Sequence, residues 1–75
     1  MTPELFHATN DEASAAARRE VVARGLTERI RFRNIFYPEV QADFDARGGT
    51  RLPAWWDGAT LHQGVDAVLA AIAAL

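Results

Sequence analysis

The sequence predicts an α/β domain whose elements run β-α-β-α-β-β-α, with a four-stranded mixed sheet between helices on both faces. Three observations predict it. Four short apolar or alternating runs (ELFHA, ERIRFRNI, RLPAWW and TLH) read as strands, while DEASAAARREVVAR, PEVQADFDA and GVDAVLAAIAAL place apolar residues three and four apart, as helices do. The first three elements make a β-α-β unit, which implies a parallel strand pair with a right-handed crossover. Asp57-Gly58 between two short strands is a hairpin signal, so the last two strands join the sheet antiparallel. With 75 residues the chain, 1–75, is one small domain in which almost every apolar segment must enter the core, and it has no linker, repeat or low-complexity tract.

Glu4 to Ala8 is the first strand, ended by the polar Thr9-Asn10-Asp11. The first helix runs from Asp11 to Arg24, with Ala13, Ala16, Ala17, Val21, Ala23 and the stem of Arg24 on its buried stripe, Arg18, Arg19 and Glu20 outward, and Gly25 ending it. Thr9, Asn10 and Asp11 are the candidate N-caps, and Thr9 with Glu12 has the spacing of a capping box. Glu28 to Ile35 alternates strictly: Ile30 and Phe32 face inward, and Arg29, Arg31 and Arg33 make a solvated stripe suited to an edge strand. Pro38 to Ala46 is a short helix that opens on proline, sets Val40 and Phe44 on one face and stops at Gly48-Gly49. Arg51 to Trp56 and Thr60 to His62 form the hairpin, with Trp55 and Trp56 pointing to opposite faces. Gly64 to Leu75 is the terminal helix, its stripe made of Val65, Val68, Leu69, Ile72 and Leu75.

Composition excludes several functions. No cysteine is present, which removes a disulfide framework, a thiolate nucleophile, a redox dithiol and any cysteine-ligated metal site. The net charge of -2 gives no general attraction to nucleic acid or to an anionic membrane. Every basic residue is an arginine, which beside the abundant alanine marks a GC-rich coding bias. The amino-terminal residues lack the basic and long apolar regions of a secretory signal, and no apolar run is long enough to span a bilayer, so a cytoplasmic protein is expected. His7 and His62 do not have the spacing of two metal ligands on one element, so no metal is expected. His7 with Asp11 is a weak candidate for a proton relay, since no nucleophile accompanies it.

The segment RLPAWWDGATLHQGVDAVLAAI and the element order resemble, over essentially the whole chain, the thioredoxin fold in its minimal glutaredoxin form, which is also that of the amino-terminal domain of glutathione transferases. In that family a cis-proline opens the third strand, Asp-Gly turns the hairpin and Gly-x-Asp starts the last helix. The resemblance implies that Leu52-Pro53 is the cis bond. It places the family's Cys-x-x-Cys on Asp11-Glu12-Ala13-Ser14, where the dithiol is absent, so the resemblance comes without thiol–disulfide activity. Acids at a helix start are stabilised by its partial positive charge, so these residues are explained by helix initiation alone.

What the resemblance implies beyond this is a binding module. Leu52 would offer its backbone to an extended peptide-like ligand, glutathione being the family's own, with Val65 and Asp66 at its far end, Asp11 and Ser14 beside it, and Arg51 offsetting the acids that would repel an anionic tripeptide. The ligand set by resemblance is therefore Asp11, Ser14, Arg51, Leu52, Pro53, Val65 and Asp66, with a peptide-like ligand or an unknown protein as partner. No cofactor other than glutathione is implied. The alternative in another class is a glutathione-dependent, transferase-like enzyme that uses the hydroxyl of Ser14 or Thr9, or a carboxylate, at the helix start.

Overall fold

In the computed structural model, which describes Met1–Leu75, the chain runs β1 (Glu4–His7), α1 (Glu12–Ala23), β2 (Arg31–Asn34), α2 (Pro38–Ala46), β3 (Ala54–Trp56), β4 (Leu61–Gln63) and α3 (Val65–Ala73). The sheet order is β2-β1-β3-β4, with β1 parallel to β2 and the other two pairs antiparallel. This is the expected α/β order and the topology of the minimal thioredoxin fold. No helix is long and apolar enough to cross a membrane.

Strand alternation divides the core in two. On one face Leu5 and Trp55 pack with Ala17 and Val21 of α1 and Val68 and Ile72 of α3, closed by Leu26 and Ile30. On the other, Phe6 and Ala54 pack with Val40 and Phe44 of α2, with Trp56 and Leu61 at the margin. Trp55 and Trp56 thus enter different cores, as their alternation requires.

Helix ends follow local chemistry. After α1 the Gly25 N–H bonds to the Val22 carbonyl and the Leu26 N–H to that of Val21, a Schellman closure, and Gly25 takes the left-handed φ of +67° that this needs. Gly48 and Gly49 close α2 in the same way onto Asp45 and Phe44. In the hairpin turn, the Asp57 carboxylate accepts from the N–H groups of Ala59 and Thr60 (both 2.8 Å) and contacts His62 Nε2 at 2.8 Å. The His62 contact first, then these N–H groups, hold the Asp57 carboxyl down at about 2.

Several sequence expectations are corrected. The second strand begins at Arg31 instead of Glu28, because residues 26–30 turn so that Leu26 and Ile30 can plug the end of the first core. The third begins at Ala54, not Arg51, because Pro53 has no N–H for a ladder and the N–H groups of Thr50 and Arg51 are taken by the Gln63 side chain instead of a neighbouring strand. Ala23 and Arg24 are exposed, as is Leu75, each at or just beyond the last residue of its helix.

The largest correction concerns arginine. Arg33, expected in solvent, is buried and ion-paired to Glu4, equally buried, and to Asp43 on α2 at 2.9 Å. Arg47 joins the group, 3.0 Å from Glu4 and 3.6 Å from Asp43. Both guanidiniums stand over the Phe6 ring, at 5.3 and 5.5 Å from its centroid, and Arg47 also stacks on Trp56 at 4.7 Å. Burial alone would disfavour the Arg33 charge, but the hydrogen bonds to Asp43 and Glu4 outweigh it and push its pKa up. Two carboxylates and two guanidiniums thereby complete the face that the short α2 cannot cover with apolar residues.

Candidate functional site

The start of α1 is built around two side chains from the expected set. Asp11 is the N-cap: its Oδ2 accepts the Ser14 N–H at 2.9 Å and the Ser14 hydroxyl at 2.7 Å. The Ser14 Oγ in turn accepts the Ala8 N–H at 3.1 Å, which ties the helix to the end of β1. The Thr9–Glu12 box is therefore not used. Ser14 is fully buried, with its hydroxyl proton given to Asp11 and one lone pair to Ala8, so it is a structural bridge closed off from solvent. The hydroxyl bond from Ser14, then its N–H, hold the Asp11 carboxyl below its ordinary value, so Asp11 stays ionised.

This geometry predicts that Asp11→Cys combined with Ser14→Cys oxidises to an intramolecular disulfide, because the two side chains already meet across one turn at hydrogen-bond distance. Thiol titration and intact mass of the folded double variant check it. Two persistent free thiols under oxidising conditions would place the helix start elsewhere.

The remaining five residues form a second group at the hinge between the hairpin and the rest of the sheet. The Leu52–Pro53 bond is cis. The Pro53 carbonyl accepts the Gly64 N–H at 2.8 Å, and the Arg51 guanidinium lies against Gly64, so close that a Cβ there would stand 3.0 Å from its Cζ. Val65 and Asp66 follow in the first turn of α3. Past the last β1–β3 pair, Phe6 with Ala54, the chain brings Pro53 and Leu52 out at the sheet end from which residues 8–11 leave β1. Both groups therefore sit at one end of the molecule.

Sequence reasoning missed what holds this loop. Gln63 Oε1 accepts the N–H groups of Thr50 and Arg51, both at 2.9 Å, and its Nε2 donates to the Gly48 carbonyl at 3.3 Å. Gln63 is the last residue of β4, and only the pairing of Ala54 with Gln63 shows that its side chain can reach back. The loop so pinned leaves Leu52 half-buried, with its N–H and C=O free of any partner in the chain. Beside the same sheet end a cavity of about 210 Å³ is lined by Ala8, Thr9, Asn10, Asn34, Ile35 and Phe36. Phe36 is 79% exposed and meets Tyr37 edge-on, at 5.6 Å between centroids. None of the seven expected residues lines this or either larger cavity.

His7 does not approach Asp11 as a relay. It is buried, edge-on to Phe32 at 5.9 Å, and its Nδ1 is 3.0 Å from the guanidinium of Arg18, which also donates to the Ala8 carbonyl at 2.9 Å. Arg18, expected outward, is thus drawn to the sheet end by two acceptors. Arginine can only donate, so Nδ1 is the acceptor and the ring is the neutral Nε2–H tautomer. Burial first, then the Arg18 charge, lowers the His7 pKa from 6.5.

A folded pKa below the unfolded value means that the unfolded chain binds more protons in between. The His7 contribution to stability is then complete above pH 6.5 and falls as pH drops below that value. Urea midpoints of the native chain should decline from pH 7 to 5, whereas His7→Asn, which keeps an acceptor for Arg18 and cannot titrate, should decline less. Equal slopes would mean that His7 is solvated.

No group of three or more His, Asp or Glu side chains is placed to hold a metal ion. Comparison with protein-family models, with curated proteins and with solved structures finds no match to the chain.

Proposed function

We propose that the chain is a cysteine-free, glutaredoxin-like binding module, without thiol–disulfide oxidoreductase activity, that takes a small peptide-like ligand along Leu52. The observation that supports this is the free backbone of Leu52. The N–H and C=O of this partly exposed residue have no partner in the chain, and an extended peptide supplies both in strand-like pairing. Gln63 holds the donor–acceptor pair in place beforehand, which lowers the ordering cost of binding. Arg51 supplies the positive charge for a ligand carboxylate at the same loop.

Glutathione is the first ligand to test. The transferase-like alternative draws no support from Ser14, which is fully buried and bridges Asp11 and Ala8. Dithiol chemistry is excluded because the chain has no sulfur nucleophile. In an amide NMR titration with reduced glutathione, saturable shifts are expected at Leu52, Ala54, Val65 and Asp66, with smaller ones at Asp11 and Ser14. Absence of shifts at millimolar ligand would remove glutathione as the ligand and leave a protein partner as the occupant of the same loop.

A further inference from the structure

On the opposite flank of α1 an open groove of about 690 Å³ runs between that helix and the edge strand β2. Its walls are His7, Ala15, Arg18, Arg19, Val22, Ala23 and Phe32. Apolar atoms of Ala15, Val22, Ala23 and Phe32 make most of the surface, and the only charges on it are the two arginines.

The polar end of this cavity is built from the sheet. His7 is 6% exposed, and its Nε2 has no partner in the chain. No buried side-chain nitrogen or oxygen in the molecule lacks a partner, so this Nε2 must reach solvent. His7 lines the cavity, so that is where it does so. Because Arg18 occupies Nδ1, what His7 presents at Nε2 is a donor proton. Arg18 uses only one terminal nitrogen on His7 and Ala8, leaving the other and its Nε free. Arg19 at the rim is held loosely, 3.4 Å from a well-exposed Glu12. Glu20, the other acid of α1, pairs with Arg24, and neither acid lines the cavity.

An uncharged apolar molecule would leave these donors without acceptors, and a small hydrophilic anion would leave the apolar walls wet. We propose that this cavity is a second ligand site, taking a carboxylate with an apolar chain or ring: the carboxylate would lie between His7 Nε2–H and the Arg18 guanidinium, and the apolar part would run along Val22, Ala23 and Phe32. Binding here is independent of the Leu52 loop, whose residues it does not share.

The test is a nitrogen-edited NMR titration with sodium octanoate, with 1-octanol and sodium acetate as probes of each half of the requirement. Octanoate should give saturable shifts at Ala15, Val22, Ala23 and Phe32 and perturb the His7 ring, and octanol and acetate should each bind at least about tenfold more weakly. Val22 is 62% exposed, so Val22→Glu places an acid on the wall without disturbing the core and should weaken octanoate by a similar factor. Arg18→Gln should weaken octanoate and leave octanol unchanged. The proposal is overturned by octanol binding as tightly as octanoate, by Val22→Glu binding unchanged, by shifts confined to other parts of the fold, or by no shifts at millimolar octanoate.

Discussion

Glu4→Gln should destabilise the chain by about 3–5 kcal/mol, the cost of removing one partner from a buried ion pair. The side chains of Glu4 and Arg33 are each only 7% exposed, and Glu4 is the carboxylate shared between Arg33 and Arg47. Its neutral amide would leave two guanidiniums over the Phe6 ring with only the half-exposed Asp43 between them. A chain of this length has a total stability of roughly 4–11 kcal/mol, so the loss removes a large part of it. Urea unfolding gives the midpoint and slope.

Replacing both Glu4 and Arg33 with methionine should recover most of the loss, because a buried pair exchanged for apolar residues of similar length is neutral or stabilising. That contrast separates the cost of an orphaned charge from the worth of the pair. A loss under about 1 kcal/mol in Glu4→Gln would be the behaviour of a surface pair and would show the group to be solvated.

Phe6→Ala should cost a comparable amount, about 3–5 kcal/mol, and detach α2. Phe6 is fully buried and is one of the two phenylalanines of the smaller core, 5.4 Å from the Phe44 ring. The opposite face keeps a cluster of eight buried residues, four of them on two helices, but here Val40 and Phe44 of α2 meet only Phe6 and Ala54 among the buried residues of the sheet, so losing this ring empties the centre of its docking surface. Hydrogen exchange should show the amides of Val40 to Ala46 falling to loop-like protection while those of α1 and α3 report only the global loss. Phe6→Leu restores most of the volume without the ring face. The residual cost beyond the change in packing measures the stacking of Arg33 and Arg47. An α2 that stays protected in Phe6→Ala would mean that the ionic group, not the ring, holds it.

Wherever physics is local, the sequence was legible. Asp57-Gly58, the glycines after the first two helices, and the alternation of residues 31–33 each act within a few residues, and the turn, closures and strand they imply are those of the structure. Even the parity of Arg33 was right: it does point away from Phe32. What periodicity does not say is whether that face stays open. It is closed by Asp43 and Arg47, ten and fourteen residues later, and by Glu4, twenty-nine residues earlier. The helix start was legible in kind, since acids and small polar residues belong there. Choosing Asp11 over Thr9 as cap depended on Ser14 also reaching Ala8, a contact set by how β1 leads into the helix.

By itself the sequence determined the order of elements, the mixed sheet with helices on both faces, and the impossibility of thiol chemistry, because each depends on residue type and short-range spacing. Only the tertiary structure decided the fate of individual polar side chains: Ser14 consumed as a bridge, Gln63 holding the loop that leaves Leu52 unpaired, and His7 buried with one nitrogen on Arg18 and the other open to a cavity. A polar group in a folded chain takes the partner that strand register and helix placement bring within about 3 Å, and residue type and short-range spacing do not name that partner.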